Sequence, residues 1–564
     1  MRRILWVSFL LIGTEIALPK LGVQTNPETS SSEERQGVYA ITRVNVIPMH
    51  DKHLLRDQTV VIENGKIVSL GTSERMHLPD AATVIDGSGK YLMPGLIDTH
   101  VHLNKDEHLI LYLANGVTTV LNMKGGQYHL DLRKRIERGE ILGPRVFSTG
   151  WYVNEPRLKT PEDAEKAVTE HKETGYDFIK IHGRLQAETY ERLMTAAQEH
   201  NIPIIGHAPR NLSFETVLEK QGQALAHMEE IIYTHPAIAE KFRPYWGKKK
   251  QAQNGTDLSR ELADVVQSLA PKVKESGIWI TPTLISFNMI WRQRIDEVYE
   301  ERLATAYMQY LSPTTRQSWK NSGYRSDPSP ITTFWLKEAF ELQQDMVRAF
   351  HEEGVPLMLG TDAPIPFVMP GYSAHEDLRL LVESGLTPYE ALRAGTILPA
   401  TFLRVADEVG TIEIGKRADL MLVNENPIEN IQNTTNISGI FLNGRYLSRD
   451  TLDNKLADLA ASYDPMEELL AELQKKLENH GAKAMLQAYK ASGTHNEEVA
   501  GFVESAVNRR GYDLLGQNKI DEAIEVFTLN TQYFPDQSNP WDSLGEAYAK
   551  KGETEVAIQY YKKA

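Results

Sequence analysis

Short apolar runs typical of strands alternate with amphipathic segments typical of helices through the middle of this chain. Helical patterns such as Pro161–Glu173 and Ala187–His200 separate successive runs. Strands that alternate with helices form parallel sheets covered by helices, which indicates an α/β fold. Eight such units within about 300 residues predict a (βα)8 TIM barrel, whose site lies at the carboxyl ends of the strands. The eight runs are Leu96–His102, Val117–Met123, Arg145–Thr149, Phe178–His182, Pro203–His207, Ala224–His227, Trp279–Leu284 and Pro356–Asp362.

Two β-rich segments flank the predicted barrel. The first, Gly37–Asp86, contains alternating apolar runs joined at Asn64-Gly65, and the second, Thr411–Arg445, contains a further Asn443-Gly444 pair. An Asn-Gly pair between two such runs is the signal of a two-residue hairpin turn. The sequence therefore predicts strands both before and after the barrel.

Composition excludes several classes of protein. The 564 residues carry a formal net charge of -15, which argues against a general nucleic-acid binder. The chain has no cysteine, so disulfides, thiolate metal ligands and a cysteine nucleophile are excluded. Any bound metal must therefore be held by His, Asp, Glu or a modified Lys.

The N-terminus has the pattern of an export signal. Arg2-Arg3 supply a basic start, and Ile4–Ile12 supply an apolar core that is too short to span a bilayer. The alternative for this segment is a buried strand or helix. Residues 24–36 are polar and predict a flexible linker. We therefore expect a periplasmic or secreted protein, which is not a lipoprotein because it lacks cysteine.

Polar residues that can bind metals stand at the ends of the predicted strands. His100 and His102 are two residues apart, so on a strand both side chains point to one face and can ligate the same ion. Taken singly, a strand-end histidine is more often structural, and an aspartate there often caps a helix. Joint occurrence on strands 1, 4, 5, 6 and 8 favours a functional set, which is His100, His102, Lys180, His207, His227 and Asp362.

The string PGLIDTHVH around His100 resembles the first barrel strand of the amidohydrolase superfamily, and the order of the polar residues resembles its binuclear branch. The stretches DFIKIHGRL, NIPIIGHAP, ALAHMEE, LTPYEALRAGTILPATFL and GTIEIGKRADLMLV are similar to the imidazolonepropionase-like group, which includes prolidase-like metal-dependent dipeptidases. The resemblance extends from about Val38 to Leu447. It implies that the two flanking segments build one composite β-sandwich domain.

The resemblance also implies roles for the six residues. The first metal ion would be held by His100, His102 and Asp362, the second by His207 and His227, and carboxylated Lys180 would bridge them. Two divalent ions, expected to be zinc, would share a hydroxide that attacks the scissile carbonyl. Asp362 would then act as general base and acid. In a mononuclear alternative, His227 polarises the substrate carbonyl and Lys180 is structural.

Members of this group cleave amide bonds, so the resemblance implies a hydrolase of C–N bonds in dipeptides, N-acyl amino acids or cyclic amides. The alternatives are a lactone, ester or phosphotriester hydrolase, or an inactive barrel whose helical repeats carry the function. Substrate choice depends on the loops, here the insertions between His227 and Trp279 and over Phe287–Ser329. Candidate substrate contacts, each with a surface or packing role as the alternative, are Tyr233, Arg184, Arg210 and His182.

The C-terminal part contains a repeat with a 34-residue register, because Gly511, Ala523 and Phe527 recur as Gly545, Ala557 and Tyr561. This register of small and aromatic residues resembles tetratricopeptide repeats, in which small residues let paired helices approach. Such a module would offer a surface for a protein partner, with a spacer or stabilising domain as the alternative, and the sequence leaves a homo-oligomer open. The predicted domains are a signal and linker (1–36), the first sandwich part (37–92), the metal-dependent barrel (93–405), the second sandwich part (406–449), a helical linker (450–494) and the repeats (495–564).

Overall fold

The structure is a computed structural model that describes residues 37–245, 257–327 and 329–564. The predicted signal and linker, residues 1–36, lie outside the described residues. The strands form one eight-stranded sheet and two smaller sheets of four and three strands. In chain order they are β1 (Tyr39–Val46), β2 (Leu55–Glu63), β3 (Lys66–Thr72), β4 (Thr83–Asp86), β5 (Tyr91–Pro94), β6 (Leu96–Val101), β7 (Val117–Asn122), β8 (Arg145–Ser148), β9 (Ile179–Ile181), β10 (Ile204–Gly206), β11 (Gln223–Ala226), β12 (Ile280–Thr281), β13 (Leu420–Val423), β14 (Ile437–Leu442) and β15 (Arg445–Ser448).

The helices pack between and after these strands. The predicted helices Pro161–Glu173 and Ala187–His200 are both present, each within one residue of the predicted end. Over the described part of the chain, no helix combines the length and apolar character needed to cross a bilayer. The α-helices are α1 (Leu109–Ala114), α2 (Gln127–Glu137), α3 (Pro161–Thr174), α4 (Ala187–Glu199), α5 (Phe214–Lys220), α6 (Glu229–Thr234), α7 (Pro236–Phe242), α8 (Leu258–Ser276), α9 (Leu284–Arg292), α10 (Asp296–Leu303), α11 (Pro313–Lys320), α12 (Pro330–Glu353), α13 (Tyr372–Glu383), α14 (Pro388–Ala394), α15 (Ile397–Phe402), α16 (Arg449–Ser462), α17 (Asp464–His480), α18 (Ala482–Ser492), α19 (Glu497–Gly516), α20 (Ile520–Tyr533), α21 (Ser538–Lys551) and α22 (Thr554–Tyr561).

Helix α3 shows how local sequence sets such bounds. The Thr160 hydroxyl accepts a hydrogen bond from the Asp163 amide at 3.2 Å, and the Asp163 carboxylate accepts one from the Thr160 amide at 3.0 Å. This reciprocal cap satisfies amides that a helix start leaves unpaired, and Pro161 at the first helical position needs no amide partner. Gly175 ends the helix with a φ of 91°, a left-handed conformation that glycine adopts without steric cost.

Eight parallel strand segments close into a barrel. Strands β6, β7 and β8 pair in order, and so do β9, β10, β11 and β12. Bridges from Thr149 and Val153 join β8 to β9 at one seam. At the other seam, the extended segment 356–363 is bridged to β12 and to β6, and it is the predicted eighth strand Pro356–Asp362. The expected TIM-barrel-like α/β domain is therefore present, with strands mostly shorter than predicted.

The two flanking segments build one sheet domain. Its strand order is β15-β14-β13-β5-β1-β2-β3, with β4 paired to β1. Because β5 pairs with both β1 and β13, strands from before and after the barrel are hydrogen-bonded into one continuous sheet, so the two flanking segments build one composite domain as predicted. Ile41, Val60 and Phe441 come from both segments and share one hydrophobic core.

Both predicted hairpin turns are present. Asn64 and Gly65 have φ values of 51° and 78°, and Asn443 and Gly444 have 49° and 79°. Positive φ at both central residues is the requirement of a type I′ turn, which favours Asn-Gly. The two turns also meet, because a Cβ built on Gly444 would lie 2.5 Å from the Gly65 Cα.

The chain divides into two compact units, and unit 2 consists of Thr305–Asn321 and Ala457–Ala564. Unit 1 contains the barrel and the sheet domain. Within unit 2, α17 to α20 share a core that includes Leu473 and Val503, so the predicted helical linker and the predicted repeats pack together.

The 34-residue register is visible in the packing of unit 2. A Cβ on Gly511 would lie 2.3 Å from the Phe527 ring, and a Cβ on Gly545 would lie 2.8 Å from the Tyr561 ring. Ala523 and Ala557, the other predicted small positions, are both buried. Consecutive helix pairs therefore approach through the same residue types one repeat apart, while their membership of the tetratricopeptide class stays a prediction.

Helix α11 belongs to unit 2 although it interrupts the loop after β12. Ser312 begins the helix by accepting a hydrogen bond from the Thr315 amide, and its hydroxyl donates to Glu498 of α19 at 2.5 Å. Arg316 lies 2.8 Å from Glu467 of α17, and Trp319 is buried. Part of the predicted insertion thus packs on the C-terminal helices.

Candidate metal centre

Three of the predicted ligands are brought together by pairing between β6 and the segment 356–363. The Asp362 amide donates to the His100 carbonyl at 2.7 Å, and the His102 amide donates to the Ala363 carbonyl at 2.7 Å. This pairing leaves the Nε2 atoms of His100 and His102 at 3.1 and 3.0 Å from one Asp362 oxygen. The ligand atoms of these residues all lie within 4.8 Å of one another, a spacing that one ion can bridge.

Lys180 lies in β9, buried beside this group. Its Nζ is 3.5 Å from Nε2 of His100, and no carboxylate of the described residues lies within ion-pair distance of the amine. Burial lowers the pKa of Lys180 from 10.5 to about 8. A large share of the amine is therefore neutral near pH 8, and the neutral amine is the form that reacts with CO₂ to give a carbamate.

His207 and His227 complete the cluster, each directly after the last residue of its strand. Their ring centroids are 4.8 Å apart, and the His227 centroid is 4.5 Å from that of His100. His227 and Asp362 have φ values of 74° and 64°. This left-handed backbone costs about 1–3 kcal/mol and persists only where the surrounding structure enforces it. The structure thus places all six predicted metal-site residues at the carboxyl end of the barrel.

Neighbouring side chains fix which imidazole nitrogen faces the centre. His207 Nδ1 lies 3.0 Å from a Glu230 oxygen, and His227 Nδ1 is hydrogen-bonded to the Thr283 hydroxyl at 2.9 Å. Glu230 is fully buried and also pairs with Arg210 at 2.7 Å. A partner on Nδ1 leaves Nε2 available as a metal ligand. Sequence reasoning missed Glu230 and Thr283, since nothing in the local motif indicates that their side chains contact His207 and His227.

Asp98 joins the two strands that carry the His-His-Asp group. One carboxylate oxygen accepts from the amides of His100 and Thr361, both at 3.1 Å, and the other accepts from the Thr361 hydroxyl at 2.6 Å. Burial raises the pKa of Asp98 to about 7, although these hydrogen bonds oppose the shift. The aspartate of the His-x-His motif therefore holds the ligand strands in register and does not itself face the metal.

The protonation states of the cluster suit a metal. Burial lowers the pKa of His100 to about 3 and that of His207 and His227 well below 6.5. Burial alone would raise the pKa of Asp362, but His100 and His102 outweigh it and hold that pKa well below 3.8. Neutral imidazoles and an ionised carboxylate are the forms that ligate divalent ions. The residues present therefore fit a metal centre.

The four predicted substrate contacts lie in different surroundings. Arg210 is paired with Glu230 and stacks 4.8 Å from the Tyr233 ring, so both belong to the packing behind His207. The His182 ring lies 4.4 Å from that of His207, and burial lowers its pKa to about 4. Arg184 is exposed, and among the described residues no hydrogen bond or ion pair joins its side chain to the six cluster residues. Their part in substrate binding stays a prediction.

Two further residues near the centre have no counterpart in the sequence reasoning. Glu229 follows His227 by two positions, and burial raises its pKa to about 8. Tyr324 lies in the long loop after β12 and is 37% exposed, while the partial desolvation of its hydroxyl and the charges of Asp362 and Glu229 raise its pKa to about 12. The loop therefore carries a phenol within electrostatic reach of the metal ligands.

A closed α/β barrel with such a cluster at its carboxyl end defines a metal-dependent hydrolase. A model described as the amidohydrolase family matches residues 91–447, more than half of the chain, so the protein belongs to that family. Imidazolonepropionase of Fusobacterium nucleatum is 25% identical over 381 residues, covering 64% of this chain and 83% of that protein. The 5'-deoxyadenosine deaminase of Methanobrevibacter smithii is 23% identical over 390 residues, covering 65% of this chain and 80% of that protein.

Solved structures share the fold. Bottromycin amidohydrolase superposes with a TM-score of 0.60 at 22% identity, covering 76% of this chain and 91% of its own. A putative prolidase from Bifidobacterium longum gives 0.53 at 24% identity, covering 75% and 99%. The chain is thus an enzyme of a metal-dependent, C–N-hydrolysing family, and the His-His-Asp group is able to bind a metal.

Proposed function

We propose that this enzyme hydrolyses amide bonds in dipeptides, N-acyl amino acids or cyclic amides. The observation that carries the proposal is the convergence of His100, His102 and Asp362 beside the buried amine of Lys180. The names of similar proteins, among them an imidazolonepropionase, a deaminase and a prolidase, support a C–N bond as the target. Lactone, ester or phosphotriester hydrolysis uses the same donor set and is the competing activity.

Five of the six cluster residues divide into two ligand groups in this proposal. His100, His102 and Asp362 would hold one divalent ion, and His207 and His227 would hold a second. Lys180, once carboxylated, would contribute one oxygen to each. When bound, the ions, which we propose to be zinc, supply the Lewis acidity that polarises the scissile carbonyl and activates water.

Asp362 would move the proton during the reaction. Its carboxylate is ionised, because His100 and His102 hold its pKa well below 3.8. It can therefore accept a proton from the attacking water and return it to the leaving nitrogen. His100 and His102 lie on the same oxygen of Asp362 and fix its orientation. His227, held by Thr283, would polarise the substrate carbonyl if only one ion binds.

Metal content tests the proposal directly. We would express the protein with zinc and bicarbonate and measure metal per chain by elemental mass spectrometry. Two equivalents support the carbamate-bridged centre, and one equivalent favours the mononuclear version. The absence of metal after reconstitution would contradict a hydrolase of this kind. His102→Ala should lower metal content, whereas His53→Ala, at a site with 78% side-chain exposure, should not.

Metal-loaded protein should then be assayed with dipeptides, N-acyl amino acids, cyclic amides and lactones in parallel. Turnover of the amides in preference to the lactones supports the proposed bond. Turnover of lactones or phosphotriesters alone would replace amide hydrolysis by the competing activity.

We further propose that the C-terminal helices are tetratricopeptide-like repeats that dock a protein partner, and that residues 1–36 direct export. The repeated Gly–aromatic contacts of unit 2 support the first proposal. Affinity capture with unit 2 intact, compared with a Gly511→Trp variant, tests it. N-terminal sequencing of protein recovered from outside the cytoplasm tests the second.

A further inference from the structure

Glu229 is a largely buried carboxyl group beside the proposed metal centre, and among the described residues no arginine or lysine forms an ion pair with it. It begins α6, two positions after His227, and its side chain is only 14% exposed. Its Oε2 is buried and has no hydrogen-bond partner among the residues described. Its Oε1 lies 3.7 Å from His227 Nδ1, but Thr283 already bonds that nitrogen at 2.9 Å.

The adjacent acid, Glu230, provides a contrast. Glu230 is fully buried, and it is balanced by Arg210 at 2.7 Å and flanked by His207 at 3.0 Å. In the described chain, no arginine or lysine lies within ion-pair distance of Glu229. Ionising a carboxyl group that is removed from water without a cation is costly, which is why burial raises the pKa of Glu229, so its charge contributes little to the stability of the folded protein. A cationic group of a ligand is the partner that this position lacks.

The position of Glu229 also limits where such a cation sits. The Nδ1 atom of His227 faces Glu229, and the Nε2 atom of the same ring is the proposed metal ligand. Only the imidazole of His227 therefore separates Glu229 from the proposed metal pair. A cation bound by Glu229 would therefore lie beside the His227 ring, next to the proposed metal pair.

We infer that Glu229 binds the ammonium group of the substrate, so that the enzyme selects amides with a free amine close to the scissile carbonyl, as in aminoacyl compounds. The inference rests on the proposed function, because the amine is placed relative to a carbonyl at the metal centre. The inference narrows the substrate class from amides in general to amides whose amine next to the scissile carbonyl is free, and it excludes amides in which this amine is acylated.

Two hydroxamates test the inference without requiring turnover. Alanine hydroxamate and N-acetylalanine hydroxamate carry the same metal-binding group and differ in the charge of the amine. Calorimetric titration of zinc-loaded wild-type protein should show about tenfold or greater preference for alanine hydroxamate, as a charge-assisted hydrogen bond provides. Glu229→Gln, which keeps the shape and removes the charge, should bring the ratio close to one. Glu219→Gln, on the exposed face of α5, should leave the ratio unchanged.

The outcomes separate the two proposals. Equal binding of both compounds by the wild type, or an undiminished preference in Glu229→Gln with zinc content retained, would overturn the ammonium site and leave the metal centre standing. If the wild type held no zinc after reconstitution, the metal centre itself would fall and the ammonium site with it, whereas zinc-loaded wild type that bound neither hydroxamate would overturn the ammonium site alone. Measured zinc content and thermal midpoint of each variant establish that a lost preference is not lost folding.

Discussion

At the scale of single residues, Asp362 has two proposed roles that a substitution can separate. Its carboxylate lies beside His100 and His102 as a third metal ligand, and it is also the general base of the proposed reaction. Asp362→Asn keeps the shape and one oxygen but cannot accept the proton, so kcat should fall by about 10²–10⁴-fold. Zinc per chain and the thermal midpoint should change little. Substantial turnover by this variant would assign the proton transfer to another group.

A substitution of Lys180 distinguishes a structural role of this residue from a role as the bridging metal ligand. Lys180→Ala should lower zinc content toward one equivalent per chain and reduce activity, because the carbamate oxygens are lost. Acetate or propionate added to this variant should restore part of both, since a free carboxylate can fill the space left by the side chain. Full zinc and full activity without added acid would show that Lys180 is structural, as in the mononuclear alternative.

The location of the six candidate ligands at strand ends is predictable from sequence, because strand-end positions follow from the apolar pattern of each strand. The supporting residues are not. Glu230 reaches His207 from the next barrel unit, and Thr283 reaches His227 from the start of α9, so both contacts depend on how the chain turns after a strand. Arg210 shows the same limit, because sequence offers it as a substrate contact while the structure pairs it with Glu230.

At the scale of elements, His375 makes the attachment of α13 depend on pH. It bonds the Thr434 hydroxyl at 2.9 Å and the Asn115 carbonyl at 3.0 Å, and burial lowers its pKa from 6.5 to about 4. The unfolded chain therefore binds more protons between these values, so stability is complete above pH 6.5 and is lost as pH falls toward 4. The loss amounts to about 3 kcal/mol.

A comparison of variants isolates this contribution from the other buried histidines. The thermal midpoint of wild-type protein should fall more steeply between pH 6.5 and 4 than that of His375→Gln. His53→Gln, which changes an exposed histidine, should follow the wild type. Parallel curves for all three proteins would show that His375 does not titrate across this range.

The meeting of the two hairpin turns predicts a local sensitivity in the sheet domain. Gly444→Ala places a Cβ against the Gly65 backbone in addition to straining its own, so it should cost about 2–3 kcal/mol. Gly415→Ala is the matched control, because Gly415 also has a positive φ, 95°, but nothing lies within 4 Å of the added Cβ. Chemical denaturation should therefore show a larger loss of unfolding free energy in Gly444→Ala than in Gly415→Ala. Equal losses would show that the contact between the two turns does not contribute.

Elements are predictable where local chemistry decides them. The caps of α3 and the Asn-Gly turns lie where the sequence puts them, since each is set by residues a few positions apart. The eighth barrel strand is predicted by its apolar run but is held only by isolated bridges, because its pairing depends on both neighbouring strands. The joining of the flanking segments into one sheet likewise depends on β5, which pairs with strands distant in sequence.

At the scale of the whole molecule, the sequence predicts that the C-terminal helices, residues 450–564, form a continuous stretch apart from the barrel, but unit 2 is not continuous. Thr305–Asn321 belongs to it although these residues fall inside the predicted barrel range 93–405. In the sequence, α11 falls inside the insertion Phe287–Ser329, and nothing there indicates which distant helices Ser312 and Arg316 contact. Long-range partners of this kind are fixed by tertiary packing alone.

This arrangement predicts the result of a truncation. Ending the chain after Leu456 removes the residues that bond Ser312 and Arg316, so the segment Thr305–Asn321 should become a preferred site of limited proteolysis. The remaining barrel should show little change in zinc content. Equal protease resistance of this segment in full-length and truncated protein would contradict the packing of α11 on the C-terminal helices.

The divided composition of unit 2 also sets an order of events during synthesis. Thr305–Asn321 leaves the ribosome well before the residues from Ala457 onward exist, a delay on the order of ten seconds at about 5–20 residues per second. Trp319 must stay without its final surroundings in unit 2 for that interval. The segment Thr305–Asn321 therefore reaches its native packing as one of the last steps of biogenesis.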